Sequence, residues 1–241
     1  MPGILEIVVF FCFIIWVLSI LLLVPLLFLE HKRAEKQRRD VAERLGIEYH
    51  KRLVPADQAM FAKFALASRG RKQMFAKFAL TSRGRNASKA FVADSGDLRM
   101  VIFDFRYIVG SGSGSRVYKQ TVVMAQSELL SIPVFKISPE DMRQKIASLF
   151  GYQDINFDDD TNFSKAFKLT GPDIDKIRAF FTAKRRQELL SQRQIILEGN
   201  GDQFIFHQTG LHMSSFEELN GLMERAVSLY AVMRSEPDGS S

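Results

Sequence analysis

The stretch LRMVIFDFRYIV, Leu98 to Val109, decides the fold class. Arg99 is followed on its face by Val101, Phe103, Phe105 and Tyr107, while the other face mixes Met100 and Ile102 with Asp104 and Arg106. Successive strand side chains point to opposite sides, so this period of two predicts a β-strand with one better-buried face. Gly110–Ser115, GSGSGS, separates it from a second run, Val117–Gln126, and predicts a hairpin with a flexible loop. That loop lacks the GK[ST] ending of a phosphate-binding loop and has no strand-to-helix context, which argues against a nucleotide site.

Downstream, Pro133–Ile137 reads as a short strand. Ser138-Pro139-Glu140-Asp141 then predicts a helix start, with an N-cap hydroxyl, proline at N1 and acids in the first turn. Met142, Ile146, Leu149 and Phe150 would line one face of that helix, and Gly151 follows. The pattern nearly recurs at Phe167-Lys168-Leu169-Thr170-Gly171-Pro172-Asp173, implying two strand-to-helix units. Gln194–Glu198 and Gln203–His207 flank Gly199-Asn200-Gly201-Asp202, where Asn-Gly signals a hairpin. Ser215 with Glu218 forms a capping box ahead of a closing helix whose apolar stripe is Phe216, Leu219, Leu222, Met223, Ala226 and Tyr230. The predicted class is α+β, with antiparallel β-hairpins and about three packed helices.

Upstream lies a different kind of segment. From Ile7 to Leu29, 19 of 23 residues are Ile, Leu, Val or Phe and none is charged. As a helix it reaches roughly 35 Å, enough to cross a hydrocarbon core of about 30 Å. A signal peptide would need a basic leading region and a small-residue cleavage site, and neither is present. Lys32, Arg33, Lys36, Arg38 and Arg39 follow the span, so the positive-inside rule predicts an N-terminus outside and the remainder in the cytoplasm. Residues 31–45 carry strong helix formers of mixed charge and extend the membrane helix to a stop at Gly46. The predicted organisation is an anchor over 1–30, a charged juxtamembrane helix and linker over 31–57, a basic segment over 58–97, an α+β domain over 98–235 and a disordered tail over 236–241.

The basic segment holds a tandem duplication: MFAKFALASRGRKQ at Met60–Gln73, then MFAKFALTSRGR at Met74–Arg85, matching at 11 of 12 positions. Two copies at a period of 14 residues are too few for a solenoid. Phe61, Phe64 and Ala65, then Phe75, Phe78 and Ala79, have the i, i+3, i+4 spacing of short amphipathic helices. Either this is a membrane-surface element, or one copy packs on the domain and the other is an inserted surface connection. Lys63, Arg69, Arg71, Lys72, Lys77, Arg83 and Arg85 are its candidate contacts to anionic lipid. Beside a bilayer anchor the same cations argue for membrane rather than nucleic acid as the polyanion.

The chemistry-bearing residues point to no reaction. The formal charge of +6 is uneven: Gln58–Ala93 carries eight Lys or Arg and no acid, while Asp154–Asp160 carries four acids and no base. Asp154, Asn156, Asp158 and Asp160 alternate like the start of a calcium loop, but Asp159 stands where glycine is required and Lys165 where a bidentate glutamate is required. Cys12, the single cysteine, lies inside the span, and His207 and His212 lack the spacing of a zinc site. There is no G-x-S-x-G nucleophile elbow. No catalytic, cofactor-binding or metal-binding residue is assigned.

Asp154-Ile155-Asn156-Phe157, Phe163-Ser164, Leu169–Asp173 and Ala179-Phe180-Phe181-Thr182, taken with Phe103–Tyr107, the Gly/Ser loop and Gln120–Val123, resemble a family of uncharacterised bacterial single-pass inner-membrane proteins. The resemblance covers most of residues 1–235; where that family has one F-x-x-F-x-L-x-S-R-G-R-like segment, this chain has two. It implies an inner-membrane location, a cytoplasmic α+β domain and no assigned activity. The expected function is a membrane-tethered protein-interaction or scaffold module, its partners the lipid bilayer and a protein of unknown identity. The alternatives are a membrane-surface hydrolase or transferase, or an anionic-lipid sensor. Oligomeric state is not legible.

Overall fold

Apolar residues uninterrupted by charge favour a single helix, and α1 (Ile4–Leu45) is one of 42 residues. In this computed structural model the described residues are 4–64, 87–109, 116–140, 154–192, 194–208, 213 and 215–234. The chain forms two units, Met1–Gly46 and Ile47–Ser241. The first is α1, with one stretch long and apolar enough to cross a membrane. Pro25 lies within it, and the Ser19 hydroxyl donates back to the Ile15 carbonyl at 2.7 Å. Toward its end, Lys32 sits 4.7 Å above the Phe28 ring and Arg39 bridges Glu35 one turn back. The helix stops where Gly46 adopts φ +66°, a conformation glycine enters without a Cβ penalty.

In the second unit, the alternating residues at 99–109 and 116–126 form the longest ladder of the sheet, β3 (Arg99–Val109) against β4 (Arg116–Gln126). The other strands are β1 (Glu48–Arg52), β2 (Ala87–Asp94), β5 (Ile132–Pro139), β6 (Phe167–Thr170), β7 (Ile196–Gly201) and β8 (Gln203–His207). All eight join one antiparallel sheet in the order β1-β2-β3-β4-β8-β7-β5-β6, so the C-terminal hairpin is inserted between β4 and β5. The residues of β1, β2 and α2 (Pro55–Phe61) precede Leu98 and belong to this same unit.

Directly paired residues share a face, and two rows cross all eight strands. Tyr49, Phe91, Ile102, Val123, Phe206, Leu197, Ile137 and Leu169 form an entirely nonpolar or aromatic row. On the opposite face, Glu48, Val92, Val101, Met124, Ile205, Glu198, Lys136 and Thr170 run from a charged edge through an apolar middle to a polar half. α2 covers the apolar middle: Phe61 and Phe64 are buried in one cluster with Val101, Phe103, Phe105 and Met124. Phe61 meets Phe103 and Phe105 edge to face at 5.1 and 5.0 Å. The buried Asp57 carboxylate accepts from Arg99 at 3.1 Å and fixes α2 to the start of β3.

The remaining described helices serve the nonpolar face: α3 (Thr161–Ala166), α4 (Ile174–Phe180), α5 (Ala183–Leu189) and α6 (Phe216–Arg234). The Asp173 side chain caps α4 through the Lys176 N–H, and Ser215 with Glu218 forms the reciprocal box of α6. α6 packs against β3 and β4 and buries Leu219, Leu222, Ala226, Leu229 and Tyr230. Phe135, Phe163, Phe167, Phe180 and Phe181 build an aromatic core between β5, β6 and the short helices.

Strand β5 continues through Ser138 and Pro139, which pair with Lys168 and Phe167, and 3-10 helical geometry begins at Glu140. One local expectation is corrected. The β7–β8 turn centres on Gly201-Asp202 rather than Asn-Gly: Asn200 pairs with Gln203, and Gly201 supplies the positive φ of +66°. The predicted helix over 142–150, the GSGSGS loop and the tail over 236–241 lie outside the described residues.

Candidate interaction site

A groove and a hollow meet at the turn between β4 and β5. The groove, about 910 Å³, is lined by Leu129, Ser131, Ile132 and Pro133 from the turn and β5, and by Lys176, Ala179 and Phe180 from α4. Arg185 of α5 and Met233 and Arg234 of α6 complete it. The hollow, about 330 Å³, is lined by Asp94, Gly96, Asp97, Arg99, Gln126, Ser127, Glu128, Leu129 and Asp202. Leu129 belongs to both and is 48% exposed. Among the described lining residues, the groove has three bases and no acid, whereas the hollow has four acids and one base.

Local hydrogen bonds hold this turn. The Ser127 N–H donates to the Asp202 carbonyl at 2.9 Å, and the Leu129 N–H donates to the Ser127 hydroxyl at 3.2 Å. That hydroxyl also lies 3.2 Å from the Tyr230 hydroxyl of α6, and Gln126 Nε2 donates to the Asp202 carboxylate at 2.7 Å. The apex side chain is therefore presented on a backbone fixed from three elements.

Arg185 fixes the groove floor. Its guanidinium donates to the carbonyls of Phe180, Val232 and Met233, the last two at 3.1 and 3.3 Å, and stacks 4.0 Å from the Phe180 ring centre. It thus satisfies carbonyls at the ends of α4 and α6, which helix geometry leaves without intrahelical donors. Burial lowers the Arg185 pKa and Glu188 opposes that shift, leaving a group whose ordinary value is so high that it stays charged. Arg186 makes the second staple, donating to Asp159 at 2.6 Å, to Asp160 at 3.0 Å and to the Phe181 carbonyl at 2.9 Å while stacking on Phe157. Both arginines escaped the sequence analysis, although Phe180-Phe181 shortly before Arg185-Arg186 is a signal for cation–π pairing.

The structure distributes the sequence-predicted residues unevenly. Phe61 and Phe64 of the first repeat are core residues, and the Lys63 carbonyl accepts from Asn200 Nδ2 at 3.4 Å. Arg69, Arg71, Lys72, Lys77, Arg83 and Arg85 lie outside the described residues, as does His212. His207 is buried on β8, its Cα opposite that of Val122. In the acidic run, Asp160 caps α3 through the Phe163 N–H at 3.0 Å and shares Arg186 with Asp159. Burial acts to raise the Asp160 pKa, but the Phe163 N–H and the Arg186 guanidinium outweigh it and hold the carboxyl below its ordinary value. No group of three or more His, Cys, Asp or Glu among the described residues is arranged to hold a metal ion. The polar half of the opposite sheet face holds the buried Lys136–Glu198 pair at 3.0 Å.

The fold has a solved counterpart. The chain is similar to the mycobacterial trehalose monomycolate transport factor A, TtfA, with a TM-score of 0.51 and 9% sequence identity over 86% of this chain and 98% of that one. At that identity the likeness is one of fold. No protein-family model and no curated protein matches the chain.

Proposed function

We propose that this chain is a membrane-tethered accessory protein whose sheet unit binds a protein partner at the cytoplasmic face of the bacterial inner membrane. The observation that carries this reading is one apolar helix joined to a unit whose groove and hollow flank a rigid, half-exposed apolar apex. The five cations at Lys32, Arg33, Lys36, Arg38 and Arg39 support an outside N-terminus and a cytoplasmic sheet unit. TtfA is described as a transport factor for trehalose monomycolate, and an accessory role in a membrane transport process fits the shared fold. Tethering raises the effective concentration of the sheet unit for a partner in the same membrane.

The test is co-purification of the full-length protein from its native membrane in mild detergent, beside residues 1–46 alone. A stoichiometric protein retained by the full chain and absent from the helix-only sample is the expected outcome. Equal recovery from both, or none from either, overturns the reading.

A further inference from the structure

The two-signed end of the sheet unit specifies the chemistry of what it binds. We propose that it docks a segment of the partner protein that seats an apolar side chain over Ile132, Pro133 and Phe180. A carboxylate of that segment would lie against Lys176 and Arg234, and a basic residue would lie across Leu129 in the hollow. This rests on the interaction-module reading above and deepens it.

The sign change carries the inference. Lys176 and Arg234 face the groove as exposed cations, the Arg185 guanidinium being committed to three carbonyls, and no acid is among the groove's described lining residues, while Asp94, Asp97, Glu128 and Asp202 face the hollow. Arg99, the one cation in the hollow, is committed to Asp57 at 3.1 Å and to Asp94 at 3.5 Å. Lys176 bridges Asp173 at 3.0 Å with its side chain largely in solvent; solvent screens an exposed pair of this kind, so the ammonium exchanges partners readily. An anionic bilayer placed on the groove would be repelled by the carboxylates on the other side of one turn, and a polyvalent cation placed in the hollow would leave the apolar floor uncovered. A polypeptide supplies both signs and an apolar anchor within a few residues. The hydrogen bonds that fix the turn remove much of the ordering cost such docking otherwise carries.

The experiment replaces Leu129 with photoreactive benzoylphenylalanine in the full-length protein, in its native membrane, followed by irradiation and peptide mapping. The expected product is one adduct with another protein, in a peptide bearing an acid and a base on either side of an apolar residue. The adduct should be lost in the Lys176→Glu, Arg234→Glu double variant and retained in Lys176→Arg, Arg234→Lys. Both positions are solvent-exposed, and an unchanged thermal transition of each variant confirms that the fold is intact. An adduct with lipid, an adduct with a second copy of the chain, no adduct, or a protein adduct indifferent to charge reversal would each overturn the proposal. If a stoichiometric partner still co-purifies while position 129 gives no such adduct, the interaction-module reading stands and this docking site falls.

Discussion

The Asp160 carboxylate holds the first turn of α3 and the Arg186 guanidinium at once. Its pKa is depressed in the folded protein, so its stabilisation is fully present above the unfolded value of about 3.9 and is lost as pH falls through the lower folded value. Asn is as good an N-cap as Asp, so Asp160→Asn removes the charge and keeps the cap. The denaturation midpoint of this variant should lie below that of the unaltered protein at neutral pH, and the gap should close below about pH 4. A gap that persists unchanged to pH 2 would place the loss elsewhere than the ion pair. The alternating acids were visible in the sequence, as were the missing glycine and glutamate of a calcium loop. Their partner was not, because Arg186 lies 26 residues from Asp160 and the contact needs β6 and α4 folded between them.

At the scale of elements, α4 and α5 are seven residues each, shorter than the roughly 12–15 at which an isolated helix becomes even marginally stable. Tertiary contacts hold them, and Arg185 supplies a central one by bonding carbonyls of two other segments. Arg185→Met leaves those carbonyls without their donor and should cost on the order of 3 kcal/mol. Arg185→Lys should recover little of that loss, since an ammonium lacks the planar fork. The measurement is the chemical denaturation of each full-length variant in detergent; full stability in Arg185→Lys would show that charge alone suffices. Elements announced by local chemistry were legible, including the strand-to-helix unit at Phe167–Asp173, the Ser215–Glu218 box and the alternation of β3, although Asp173 itself was not read as the cap of α4. β1, EYHKR, was hidden because it is a charged edge strand without apolar alternation. β2 was hidden inside a basic stretch, where its Phe91 and Val92 gave too short a run to read.

At the scale of the whole molecule, α1 contains a stretch long and apolar enough to cross a membrane, and the proposed orientation assigns the sheet unit to the cytoplasm. A C-terminal green fluorescent protein fusion should fluoresce and a C-terminal alkaline phosphatase fusion should be inactive; the reverse pair would invert the orientation. The α+β class and the long apolar helix were legible, since one rests on the alternation and the other on the unbroken apolarity of contiguous residues. The strand order was not, because nothing local tells β4 that its neighbour is β8 rather than β5. That insertion sets a schedule for synthesis. β5 is complete at Pro139 and β8 at His207, roughly 70 residues later, which at about 5–20 residues per second is roughly 3 to 14 seconds of translation. During that interval β4 and β5 both wait for the same hairpin, each with a row of backbone donors and acceptors open to other chains. A ribosome stalled before Ile196 would release a membrane-bound fragment with two templates for strand pairing, so quality control of this protein falls on its last third.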